Sequence, residues 1–201
     1  MELIKTWEIR WFFKGALPQE WVDLLNSAFA GTRRIEQKRT DVYLNTSDRL
    51  TGIKLREGRL EIKQAVPGST MGIECRGMSG KAAIWKKWGF ISSEGEFSLP
   101  HDPAHWTEVR KERILWLAEY HFPGKGRPVH PTGTTGVELT GLSTGGAEFW
   151  TFGIETIIHD TMKIPDNPCF FIPDFQIPDH PPLTPEASMS YPAWLCSLSK
   201  L

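Results

Sequence analysis

Basic residues recur in the chain at a spacing that suits anion binding. Lys54 and Arg56 stand two apart, as do Lys111 and Arg113, each pair within a short segment that alternates with apolar residues. Arg10, Arg39, Lys63 and Arg76 occupy equivalent places in other alternating segments, with few carboxylates beside them. Arginine grips phosphate oxygens with a planar fork of donors and lysine supplies a compact charge, so such a set suits a phosphorylated ligand. The same residues are also what a face of charges paired with one another, or a face in water, would contain, and spacing alone leaves these alternatives open.

The elements that must position these bases are strands, because side chains with a period of two stand on opposite faces. In 7–13, Trp7, Ile9, Trp11 and Phe13 oppose Glu8, Arg10 and Phe12; in 39–45, Thr40, Val42 and Leu44 oppose Arg39, Asp41, Tyr43 and Asn45. The segments 53–56, 60–63, 73–76, 109–117, 137–140 and 150–155 alternate likewise, with Glu57-Gly58-Arg59 as a tight turn. Residues 18–29 instead place Trp21, Leu24, Leu25, Ala28 and Phe29 at helical spacing, with Pro18 at the start and Gly31 past the end. A weaker helical pattern covers 80–88. The expected fold is therefore α+β and mainly β: an eight-stranded antiparallel barrel, closed or nearly closed, with one or two covering helices. Two regions are expected, a barrel over 1–162 and a tail over 163–201. Eight of the fifteen prolines fall in 163–192, which bars regular helix and central strand there, while Phe170, Phe171, Phe175, Tyr191 and Trp194 suit a segment laid against the barrel.

Composition narrows the field of functions. The 201 residues carry 23 Lys and Arg against 24 Asp and Glu, and 40% are hydrophobic, which is globular rather than disordered. A formal charge of -1 argues against a dedicated nucleic-acid binder. No apolar run reaches the roughly 18 residues of a membrane span, and no apolar leader is read at the N-terminus, so a cytoplasmic protein is expected. Cys75, Cys169 and Cys196 have neither disulfide-framework nor zinc spacing. Gly141-Leu142-Ser143-Thr144-Gly145 fits a nucleophile elbow but leads into a strand and reads as a hairpin. Gly77-Met78-Ser79-Gly80-Lys81-Ala82 lacks two residues of a phosphate loop, and Pro103 between His101 and His105 opposes a helical zinc pair. The strand tryptophans Trp7, Trp11 and Trp150 lie on apolar faces and read as packing groups.

The order of these segments resembles the CYTH family, the triphosphate tunnel metalloenzymes. Asp41-Val42-Tyr43-Leu44-Asn45-Thr46 is similar to its D-x-Y-x-x-T strand; Lys54-Leu55-Arg56 and the strand ending at Lys63 follow as expected, Glu74-Cys75-Arg76 looks like its middle strand, and Val109-Arg110-Lys111-Glu112-Arg113 looks like its V-x-K-x-R strand. Gly136-Val137-Glu138 and Phe152-Gly153-Ile154-Glu155 are similar to its last two strands. The resemblance spans roughly 7–158. It implies a barrel interior lined by these charges, with Lys54, Arg56, Lys111 and Arg113 catalytic and Arg10, Arg39, Lys63 and Arg76 holding substrate. Glu8, Glu138 and Glu155, with Glu74 next, are the implied ligands of Mg²⁺ or Mn²⁺ in triphosphate hydrolysis. The first strand departs from the family's E-x-E-x-K: Arg10 replaces the second glutamate and Phe12 the lysine.

Two functions follow. One is a metal-dependent triphosphatase; the other is a non-catalytic protein of the same fold that binds a polyphosphate or nucleotide. An open sheet with a solvated charged face is a third reading. The expected partner is a phosphorylated small molecule or polyphosphate, not a membrane or a nucleic acid, and self-association, a homodimer included, is left open.

Overall fold

A computed structural model describes residues 2–91, 97, 103–121, 132–158, 168–178 and 180–198. Among these residues, nine strands run in the order β1 (Glu2–Lys14), β2 (Arg33–Leu44), β3 (Thr51–Arg56), β4 (Arg59–Ala65), β5 (Met71–Cys75), β6 (Met78–Phe90), β7 (Trp106–His121), β8 (Thr132–Thr144) and β9 (Ala147–Ile157). Helix α1 (Gln19–Ala28) joins β1 to β2, and α2 (Tyr191–Leu198) follows the last strand. All pairings are antiparallel, in the order β1-β9-β8-β7-β2-β3-β4-β6, and β6 pairs back onto β1, so eight strands close on themselves. The α+β barrel expected from the alternation is the observed architecture.

Short hairpins hold the register. Arg56 pairs with Arg59 across Glu57 and Gly58, and Thr144 with Ala147 across Gly145 and Gly146; all four turn residues have positive φ. This is the two-residue turn whose twist matches the strands, and glycine takes it without strain. Ser143 thus lies at the end of β8, and no helix follows it.

Two expectations about the strands fail. Residues 80–88 are not helical but form the centre of β6. Ala82, Ala83, Ile84 and Trp85 are all buried, because outer packing covers one face of the strand and the barrel the other, and this continuous burial hides the period of two. The segment 73–76, conversely, is not a barrel stave: β5 pairs only with the start of β6, beside the ring.

The principal core lies outside the barrel wall. Trp7, Ile9, Trp11, Val137, Leu139, Trp150, Phe152 and Ile154 point outward from β1, β8 and β9 beneath Trp21, Leu25 and Phe29 of α1 and Phe171, Ile172 and Leu183 of the C-terminal segment. Trp21 lies between Trp150 and Phe152, at ring distances of 5.3 and 5.2 Å, and Trp7 packs on Phe171. Each such ring removes about 150–250 Å² from water, so this layer is the main apolar contribution to stability.

Helix α2 fills one end of the barrel from within. The Ser190 hydroxyl caps it by accepting from the Ala193 amide, and Pro192 falls in the first turn, where its missing N–H breaks no helical bond. Trp194 stacks on Phe12 at 5.0 Å in a cluster with Tyr43, Val109 and Leu142. Phe12, on the charged face of its strand by sequence, is thus the floor of the interior. Among the described residues no helix is long and apolar enough to cross a membrane.

Candidate functional site

Above that floor the interior is a cavity of about 590 Å³. Side chains of β1, β2, β3, β4, β6, β7, β8 and β9 converge on it, each strand turning charged side chains inward, while the apolar faces of β1, β6, β8 and β9 meet the outer core. Lys111 is buried, and the Lys54, Arg113 and Arg56 side chains are 15%, 18% and 26% exposed, which rules out a solvated charged sheet.

One wall is organised by Asp41, fully buried on β2. Its Oδ1 lies 3.0 Å from Arg56 Nε and 3.3 Å from Arg39 Nε, and its Oδ2 lies 3.1 Å from Lys111 Nζ and 3.2 Å from Lys54 Nζ. The Tyr43 hydroxyl donates to Oδ2 and accepts from Lys111 at 2.7 Å. Four cations therefore share one aspartate, helped among the described residues only by Glu61, which reaches Lys54 and Arg56 at 3.1 and 3.3 Å. Arg39 Nε is within ion-pair reach of Asp41 yet misaligned for a hydrogen bond, which leaves a buried N–H without an acceptor among the described residues. Burial raises the Asp41 carboxyl, but the facing cations, Lys111 first, outweigh it and hold it far below the usual range. Burial pushes the Lys111 ammonium well down against the pull of Asp41.

The opposite wall is nearly balanced. Arg10 donates from Nη1 to Glu138 at 2.7 Å and from Nε to Glu8 at 3.3 Å. The second oxygen of Glu8 accepts from Lys63 at 2.5 Å, and that of Glu138 accepts from Arg113 at 2.5 Å. Thr140 also donates to Glu138, and Lys87 pairs with Glu155 while standing 3.8 Å from Glu8. Burial works against both glutamates, yet Lys63 and Arg10 at Glu8, and Arg10 and Arg113 at Glu138, keep them well below their ordinary values. Burial also lowers Lys63 to about 8 despite Glu8.

Across both walls, Arg10, Arg39, Lys54, Arg56, Lys63, Lys87, Lys111 and Arg113 face Glu8, Asp41, Glu61, Glu138 and Glu155, a formal surplus of three positive charges, with every lysine counted as protonated, before Arg59 is added. Tyr191 of α2 seals the base, with Lys111 Nζ 3.8 Å and the Arg10 guanidinium carbon 5.0 Å from its ring centre.

Seven of the eight bases singled out by sequence meet in this cavity. Arg76 does not: it sits at φ 52° in the turn between β5 and β6 and pairs with Asp174, outside the barrel, and Glu74 of β5 is exposed there too. A turn residue flanked by alternating segments carries the same pattern as a strand residue, which is why Arg76 reads as one of the set. Lys87 lies hidden in the segment with helical texture. Asp41 and Tyr43 stand at the D and Y of the D-x-Y-x-x-T-like strand but carry no sign of the cations they gather, Glu61 carries no signal beyond facing the same way as the bases, and Tyr191 shows its role only through packing. His105 is exposed in the turn before β7, and His101 lies outside the described residues.

The three glutamates implied as metal ligands all line the cavity, and Glu8 is directly opposite Glu155 in register. They do not form a shared donor set: among the described residues no three acidic, histidine or cysteine side chains converge on one point. Mg²⁺ asks for near-octahedral oxygen ligation, and here both carboxylate oxygens of Glu8 and of Glu138, and one of Glu155, are engaged by Arg10, Lys63, Lys87 and Arg113. As arranged, these carboxylates do not present a donor set that fits a divalent cation.

No protein-family model and no curated protein matches the chain. Among solved structures, the capping-enzyme triphosphatase of Mimivirus is similar in a monoclinic form over 80% of this chain and 82% of its own, at 7% identity and a TM-score of 0.41. Its triclinic form aligns over 78% and 80%, at 8% identity and a TM-score of 0.40. The RNA triphosphatase Pct1 of S. pombe aligns over 77% and 70%, at 11% identity and a TM-score of 0.40.

Proposed function

We propose that the barrel interior binds a phosphorylated small molecule through two or more phosphoryl groups, a nucleoside triphosphate or inorganic tripolyphosphate being the simplest examples. The observation that supports this reading is the surplus of three buried or half-buried cations in one enclosed cavity. An uncompensated charge withdrawn from water costs several kcal/mol, so a surplus of this size calls for a counter-anion. A triphosphate chain, with one charge on each bridging phosphoryl and close to two on the last, brings roughly four. It also brings acceptors for the Arg39 Nε donor that lacks one. The cavity volume lies within the range of about 300–1,000 Å³ typical of small-ligand sites.

The binding function is favoured over metal-dependent hydrolysis, because the glutamate oxygens are engaged by cations. The test is thermal denaturation and calorimetric titration of the full chain at low salt with tripolyphosphate and with ATP, each in EDTA and in Mg²⁺, while phosphate release is followed in the same samples. A rise in Tm that saturates with ligand in EDTA, and shrinks in Arg39→Gln, is expected. Tripolyphosphate and ATP both leaving Tm and heats unchanged would overturn the reading. Phosphate release dependent on Mg²⁺ would replace the binder with the hydrolase.

A further inference from the structure

The place between Glu8 and Glu138 is already filled by the chain itself. Arg10 is 4% exposed, and its guanidinium bridges one oxygen of each glutamate from a single side chain. Space for that plane comes from Gly153, paired with Arg10 across β1 and β9: a Cβ there would stand 2.6–2.9 Å from the guanidinium atoms. The outer oxygens are held by Lys63 and Arg113, so a cation entering from the cavity finds each carboxylate doubly engaged.

We infer that Arg10 is a resident cation that takes over the position of a divalent ion at the Glu8–Glu138 pair, so that the pocket engages phosphoryl groups without a metal. A guanidinium cannot leave by losing its proton, and a side chain anchored in a strand does not exchange with solvent as a bound ion does. It contributes one positive charge and fixed N–H donors, but it supplies no bound water for activation. This assigns Arg10 a positioning role at the pocket floor, and, as far as phosphoryl binding is concerned, it rests on the ligand class proposed above. Free Mg²⁺ then acts as a competitor, since it binds polyphosphate in solution and lowers the charge offered to the pocket.

The experiment is a titration of the full-length wild-type chain with Mn²⁺ alone, read by calorimetry and by the electron paramagnetic resonance signal of free Mn²⁺, alongside Arg10→Glu and Arg10→Gln. Arg10→Glu adds a third carboxylate to Glu8 and Glu138; Arg10→Gln uncovers the two. The wild type is expected to show no saturable Mn²⁺ binding in the micromolar range. Arg10→Glu is expected to bind at least tenfold more tightly than wild type and to gain Tm on adding Mn²⁺, with Arg10→Gln between. Micromolar binding by the wild type, or variants that fold and bind Mn²⁺ no better than wild type, would overturn the inference. Should Arg10→Glu fail to fold, Arg10→Gln and the wild-type titration still decide. If tripolyphosphate gave no shift, the ligand class would fall while the Mn²⁺ comparison would stand independently.

Discussion

Asp41→Asn is the substitution on which the electrostatics of the pocket turn. It keeps shape and a hydrogen-bonding oxygen for Tyr43 but removes the charge that Arg39, Lys54, Arg56 and Lys111 share at 3.0–3.3 Å. Arg56 and Lys54 retain Glu61, whereas Lys111 is left with the Tyr43 hydroxyl and the rings of Tyr43 and Tyr191. Breaking a buried ion pair from one side costs about 3–5 kcal/mol, because the other charge stays buried without its partner. In a chain of this size 1 kcal/mol corresponds to roughly 2–4 °C, so a fall in Tm of about 6–20 °C is expected. Tripolyphosphate should then raise the Tm of Asp41→Asn by more than it raises that of wild type, because the ligand replaces the lost counter-charge. The assay is thermal denaturation at low salt with and without ligand. An apo Tm within 2 °C of wild type, or equal ligand shifts in both proteins, would refute the reasoning.

Other consequences are more local. With Lys63 lowered to about 8, its charge is lost as pH rises through that value, so tripolyphosphate affinity should fall between pH 7 and 9; calorimetry should show that step removed in Lys63→Arg. Apo stability moves the other way: the folded pKa lies below the unfolded value near 10.4, so the Lys63 contribution improves as pH rises from about 8 to 10. Gly153→Ala puts a methyl group where the Arg10 guanidinium lies, and should cost about 1–3 kcal/mol in urea denaturation and weaken ligand binding together.

What could be read in the sequence followed from how each element is buried. Strands with one face on the outer core and one in the cavity, such as β1 and β9, show a clean period of two, and seven of the eight candidate bases sit on cavity-facing strand positions that obey the same period. Strand β6 is buried on both faces at its centre, so its period vanishes and Lys87 with it. Arg76 is the reverse case, a turn residue with the right neighbours and the wrong place. That a single aspartate would gather four cations, or that Arg10 would bridge two glutamates, depends on cross-strand register, which is set by turns and by barrel closure rather than by any one segment.

Barrel closure also dictates an order of assembly. β1 is made first, yet its partners are β6 and β9, so its two edges wait for residues 78–90 and 147–157 to emerge. Tyr191 and Trp194, which fill the interior beside Phe12, emerge later still. Contacts so distant along the chain make for slow folding. Until they form, the newly made barrel has charges on its inner wall and neither a completed seam nor a hydrophobic plug, so arrest of synthesis before residue 191 would leave Phe12, Tyr43 and Leu142 facing water.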